Sequence, residues 1–66
     1  MKKVYANLLG EWIDITDTGT IDDNQDPKIF IREDGLEILS KYTYINIQYN
    51  GKNYRIHPSL IQIVTE

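Results

Sequence analysis

The dipeptide Asn50-Gly51 constrains this chain more than any other feature of its sequence. A two-residue type I′ hairpin turn needs positive φ at both central positions, and asparagine and glycine tolerate it best. Apolar and polar residues alternate on both sides of the dipeptide. Folding the chain about Tyr49-Asn50-Gly51-Lys52 sets 49 against 52, 47 against 54 and 45 against 56. One face then carries Ile45, Ile47, Tyr49, Tyr54 and Ile56. The other carries the pairs Gln48/Asn53, Asn46/Arg55 and Tyr44/His57. A slip of one residue would mix the two faces, so the register follows from the pattern.

Asp34-Gly35 gives a second hairpin signal. Pairing about it sets Ile31 opposite Ile38, Phe30 opposite Leu39 and Arg32 opposite Glu37. A competing pattern is a capping box, Asp34 with Glu37 three residues on, which would open a short helix over 35–41. Such a helix begins with glycine and is too short to stand alone, so the hairpin is the expectation. Near the N-terminus Val4, Ala6 and Leu8 alternate, as do Ile13 and Ile15, with Gly10 between them as a turn or bulge. From 16 to 28 periodicity is lost, and the Asp-, Thr-, Asn- and Pro-rich composition reads as one long acidic loop. Pro58 ends a strand in a short turn of 3₁₀ type, and a last strand runs from about Leu60 to Val64.

The expectation is therefore a single all-β domain over 1–66, of five or six short strands. The alternative is a β-rich α+β fold with one short helix near 35–41. The order of parts is a strand, a long acidic loop, two hairpins, a proline-containing turn and a closing strand. It resembles an SH3-like barrel, most closely over Tyr54-Arg55-Ile56-His57-Pro58-Ser59-Leu60-Ile61-Gln62-Ile63-Val64. The resemblance covers the last third of the chain and implies fold alone. The Ala-Leu-Tyr-Asp-Tyr-like segment of peptide-binding SH3 domains is absent, and Trp12 lies too early to be their mid-chain tryptophan. Recognition of proline-rich peptides is not implied.

Size and composition narrow the function. A chain of 66 residues without cysteine has neither disulfides nor thiolate metal sites to support a small core. Ile, Tyr and Val are frequent and Ala6 is the lone alanine, which is strand-former usage. The lack of cysteine suits a reducing cytoplasm. The apolar stretch after Lys2-Lys3 is too short for a signal core, and no window approaches the ~18 apolar residues of a membrane span. The formal net charge is −3. Glu11, Asp14, Asp17, Asp22, Asp23 and Asp26 fall in one segment without a base, while the rest of the chain is mildly basic.

Each candidate site has a plain structural counterpart. His57 and Ser59 flank Pro58, but a nucleophile and base need a third group to orient them, and so small a domain lacks a water-excluding cleft. No catalytic role is expected. Asp22, Asn24, Asp26, Ile29 and Glu33 fall at the spacing of an EF-hand loop. Its obligatory glycine is replaced by Pro27, whose fixed φ forbids the turn, so no metal or cofactor is expected. The acidic segment, with Asp17, Asp22, Asp23 and Asp26, could steer a protein partner with a basic surface, or could serve only solubility. The outer face of the 42–57 hairpin carries Tyr42, Tyr44, Arg55 and His57, residue types enriched at binding hot spots. Trp12 points opposite to Ile13 and Ile15, and a half-buried structural place is expected for it.

The functional expectation is a non-catalytic accessory, regulatory or inhibitory factor that binds a protein. Lys-, Ile- and Asn-rich usage suggests an AT-rich bacterial or phage source. One alternative is a small nucleic-acid-associated barrel using the Tyr/Arg face. It is disfavoured because phosphate binding needs clustered Lys and Arg. The other is a structural subunit that self-associates through its edge strands.

Overall fold

A computed structural model describes residues 1–22, 24–31 and 35–66. The elements are β1 (Lys2–Leu8), β2 (Glu11–Asp14), β3 (Gly19–Ile21), a 3₁₀ segment (Pro27–Ile31), α1 (Gly35–Ser40), β4 (Ile45–Tyr49), β5 (Lys52–Ile56), a 3₁₀ turn (Pro58–Leu60) and β6 (Ile61–Thr65). The protein is mostly β, and its described residues form two small antiparallel sheets, of order β2-β1-β6 and β3-β4-β5, and one short helix. Among the described residues the two sheets do not join into a closed barrel. No helix among the described residues is long and apolar enough to cross a membrane.

The Asn50-Gly51 hairpin has the register its sequence demands. Tyr49 pairs with Lys52, Ile47 with Tyr54 and Ile45 with Ile56. Asn50 and Gly51 adopt φ of 53° and 76°. The ladder stops at Ile45/Ile56, one pair short of Tyr44/His57. A second two-residue turn joins β1 to β2, pairing Leu8 with Glu11 around Leu9 (φ 55°) and Gly10 (φ 91°). The Asn7 side-chain oxygen accepts the Gly10 N–H at 2.9 Å and steadies that turn. The final strand enters through the 3₁₀ turn after His57 and returns to β1, pairing Ile63 with Val4 and Ile61 with Ala6.

Both sheets feed one core. Val4, Ala6 and Leu8 alternate inward from β1, Ile45 and Ile47 from β4, and Ile15, Ile21, Phe30, Leu39 and Ile61 complete it. Ile13, Tyr49, Tyr54, Ile56 and Ile63 pack partly buried against its rim. The strand periodicity read from the sequence therefore sorts most of the core correctly.

Three expectations fail. The Asp34-Gly35 hairpin does not form, and the pairs Ile31/Ile38 and Phe30/Leu39 do not exist. Residues 27–31 are a 3₁₀ segment and 35–40 are α1. Arg32, Glu33 and Asp34, including the hairpin's Arg32/Glu37 pair and the possible Asp34 cap, lie outside the described residues. The reason for α1 lies in Gly35. Its backbone sits so close to Phe30 that an added Cβ would collide with the Phe30 carbonyl. Glycine is here for close approach, not for a turn. The long loop over 16–28 is also interrupted, because β3 pairs with β4 and buries Ile21 within it. Trp12 leaves 49% of its surface exposed and is not among the side chains packed on the core, so the structural place expected for it is not found there.

The two glycine roles separate experimentally. At Gly51 nothing lies near an added Cβ, so Gly51→Ala meets only the positive-φ penalty of about 1–2 kcal/mol. Gly35→Ala must displace the Phe30 backbone and should cost more than twice that. Thermal unfolding of the two variants should show Gly35→Ala as clearly the less stable, and equal midpoints would refute this account of α1.

Candidate functional site

The hairpin outer face and part of the acidic segment converge. Tyr42 and Tyr44 are 48% and 47% exposed, large rings left uncovered after α1. The Arg55 guanidinium lies over the Tyr44 ring at 4.4 Å from its centroid, a cation–π contact that fixes both side chains at modest entropic cost. Beside them an open depression of about 580 Å³ is lined by Asp22, Lys41, Tyr42, Thr43, Tyr44 and Asn46. It joins an acid, a base, two phenol rings and two neutral hydrogen-bonding groups.

Asp22 holds this place through backbone bonds. Its N–H donates to the Asn46 carbonyl at 2.7 Å, and its carboxylate Oδ1 accepts the Asn46 N–H at 2.9 Å. Positive φ at Asp22 (40°) and Asn24 (64°) turns the chain there, closed by reciprocal bonds between Ile21 and Gln25. Asp22 therefore splices the end of β3 onto β4, and one of its oxygens is already committed.

The other acids divide. Asp17 and Asp26 both approach Lys28, at 3.2 and 3.8 Å, and Asp26 also accepts the Lys28 backbone N–H. The hydrogen bond to Asp17, reinforced by the charge of Asp26, raises the Lys28 ammonium above its ordinary range. The basic partner expected for this segment is thus supplied in part by the chain itself. Such exposed pairs contribute little stability but do neutralise the field. Asp23 and Glu33 lie outside the described residues.

His57 stands apart from the Tyr44 depression. Its Nδ1 accepts the Ser59 N–H at 3.1 Å and lies 2.9 Å from the Ser59 hydroxyl, capping the 3₁₀ turn. This local bond gives the His-Pro-Ser spacing a structural role. His57 lines a different open depression, with Ser40, Pro58, Ser59, Ile61 and Gln62.

A further charged cluster escaped sequence reasoning. On the outer face of β1, Lys3 lies 3.6 Å from both Asp14 and Glu66, and the Tyr5 hydroxyl donates to Glu66 at 2.9 Å. The alternation of Lys3 and Tyr5 with Val4 and Ala6 signals that face, but nothing local signals Glu66. The nearby Thr16 hydroxyl is buried; it accepts the Val4 N–H at 2.8 Å and donates to Asp14 at 2.6 Å. The Thr16 hydroxyl and then its N–H hold the Asp14 carboxyl below its ordinary value, with Lys3 adding to the effect.

Comparison with known proteins finds no matching family model, no matching curated protein and no matching solved structure. The functional reading rests on the geometry.

Two stability experiments test the assigned roles. Asp22→Ala removes a charged acceptor from the Asn46 N–H and should cost about 1.5–3 kcal/mol, whereas Asp17→Ala should stay within about 0.5 kcal/mol. Chemical denaturation of both variants checks the contrast, and similar losses would sink it. Thr16→Val orphans the Val4 N–H and should cost about 1–3 kcal/mol at neutral pH. Because the folded Asp14 carboxyl titrates below its unfolded value, its contribution is present above that value and is lost as pH falls through the folded one. The gap between wild type and Thr16→Val should therefore narrow as the solution is acidified through the carboxylate range, and a constant gap would refute the Thr16–Asp14 coupling.

Proposed function

We propose that this protein is a non-catalytic binding factor that engages another protein through Tyr42, Tyr44 and Arg55, with Asp22 and Lys41 at the edge of the contact. The observation that carries this is the exposed Tyr42/Tyr44 pair beside a preorganised Arg55–Tyr44 stack. Tyrosine and arginine supply large contact area at low ordering cost and dominate measured hot spots. The depression beside them offers one acid and one base, which suits a partner of mixed polarity more than the basic surface expected from the acidic segment alone.

Nucleic acid suits this face less well. Base stacking on Tyr44 is chemically reasonable. However, Asp22 lines the same depression, the net charge is −3, and phosphate affinity depends on clustered cations. The fold that accompanies the binding reading is an SH3-like barrel left open between its two sheets. Its support is the return of β6 to β1 through the 3₁₀ turn at Pro58. An accessory or regulatory role in the cytoplasm of a bacterial or phage-infected cell is consistent with the cysteine-free, Ile- and Asn-rich composition.

The test is affinity capture from host lysate with the wild-type protein and with Tyr42→Ala/Tyr44→Ala, read by quantitative mass spectrometry. Loss of two hot-spot rings should reduce recovery of the specific partner about 30-fold or more, the equivalent of 2 kcal/mol. Equal recovery by the double variant would overturn the assignment of this face. A mobility shift of single-stranded oligonucleotide at low salt would overturn the choice of a protein partner.

A further inference from the structure

Each sheet leaves strand edges open, and two of these edges match one another. The β2 edge belongs to Glu11-Trp12-Ile13-Asp14, with two acids and no base. The β5 edge belongs to Lys52-Asn53-Tyr54-Arg55-Ile56, with two bases and no acid. Among the described residues each strand has one hydrogen-bonded neighbour, β1 for β2 and β4 for β5. We propose that β5 of one molecule adds antiparallel to β2 of a second copy, so that molecules associate head to tail.

The backbone phase sets the register. In a two-residue hairpin the residues flanking the turn form a hydrogen-bonded pair, and closed pairs then recur every second residue. Leu8/Glu11 and Ala6/Ile13 are therefore closed, and the series continues in the bond from Ile15 N–H to the Val4 carbonyl at 2.9 Å. The backbone groups of Trp12 and Asp14 consequently face the free edge. The Asp14 carbonyl already accepts the Thr18 hydroxyl and keeps a second lone pair. By the same rule Tyr49/Lys52 and Ile47/Tyr54 are closed, and Asn53 and Arg55 face outward.

An antiparallel ladder between copies must join these outward residues. Trp12 opposite Arg55 and Asp14 opposite Asn53 does so over the full length of β2. Of the two neighbouring in-phase registers, one puts Arg55 against Gly10 and Asp14 against Gly51, beyond the end of each strand, and the other pairs Asp14 with Arg55 but sets Trp12 against His57, past the end of β5. The favoured register also matches side chains. On the outer face the half-exposed Trp12 lies against Arg55, and Asp14 sits diagonally from the same guanidinium. On the inner face Ile13 lies against Tyr54, and both already pack on the rim of their own core. The joined sheet would run β6-β1-β2 into β5-β4-β3 of the next copy. A heterologous contact of this kind leaves one edge of each sort free at the two ends, so it propagates.

Sedimentation velocity over a concentration series, on the whole chain, tests the proposal. The expected result is a weight-average mass that rises with concentration and falls as salt screens the charges. Asn53→Pro removes one outward N–H without touching the β4 ladder, and should be monomeric. Arg55→Glu should weaken association at least about tenfold by opposing Asp14 with a like charge. It keeps an intact β2 edge, so adding it to wild type should shorten the assemblies. Ile29→Ala, at an exposed residue of the 3₁₀ segment on neither edge strand, should associate as wild type does. Circular dichroism confirms that the variants are folded; should Asn53→Pro unfold, Arg55→Glu carries the test. A wild-type protein monomeric at every concentration in low salt, or association undiminished in Arg55→Glu, overturns the proposal.

Discussion

Burial of alternate residues on the two central strands, β1 and β4, underlies everything else in the molecule. Each is flanked on both sides by other strands, and Val4, Ala6, Ile45 and Ile47 have no exposed surface. A fully buried Val or Ile side chain contributes about 1.5–3 kcal/mol. With no disulfide available, the loss of one such residue would consume much of a small domain's margin. The inward phase of every strand is therefore committed to stability. The outward phase is free for other uses, and Lys3, Tyr5, Trp12, Asp14, Asn46 and Arg55 lie on it.

That division was readable wherever the chain reports it locally. Asn50-Gly51 combines two residues tolerant of positive φ with alternation on both sides, so turn type, register and face all agree. The turn at Gly10 was readable as a turn for the same reason. Its first position is taken by Leu9, which has no preference for positive φ, and so the turn type was not. The segment from Phe30 to Leu39 misled because its local signals are ambiguous. Asp-Gly serves a hairpin and a helix start alike, and both arrangements bury Phe30 and Leu39. What decides is that Gly35 rests against the Phe30 backbone, a tertiary contact with no local signature. A six-residue helix is below the length that propensity can sustain, so packing must specify it.

The candidate site shows the same limit for charge. The sequence displays a run of carboxylates, but it does not display what each one holds. Lys28, two residues past Asp26, closes on Asp17 and Asp26 and could have been anticipated from spacing. Asn46, which holds Asp22, is 24 residues away and could not. Asp22 is thus a splice between strands that also borders the aromatic depression, and the acidic segment is less a free electrostatic lure than its composition implies. The exposure of Tyr42 and Tyr44 follows from α1, because a helix ending at Ser40 leaves them beyond its last turn instead of on a covered strand.

The open edges of β2 and β5 also differ in the sign of their charges. Exposed strand edges invite unselective pairing, and charged side chains are a common safeguard against it. Had β2 and β5 carried the same sign, every encounter between these two kinds of edge would be repelled. Here β2 repels β2 and β5 repels β5, while β2 and β5 attract. The arrangement suppresses symmetric pairing of either edge and leaves their cross-pairing open, in the register where outward backbone groups, Trp12 with Arg55, and Ile13 with Tyr54 coincide. Selectivity of this sort requires rejection of the wrong pairings as well as attraction in the right one. Both follow from where four charged residues fall on two short strands.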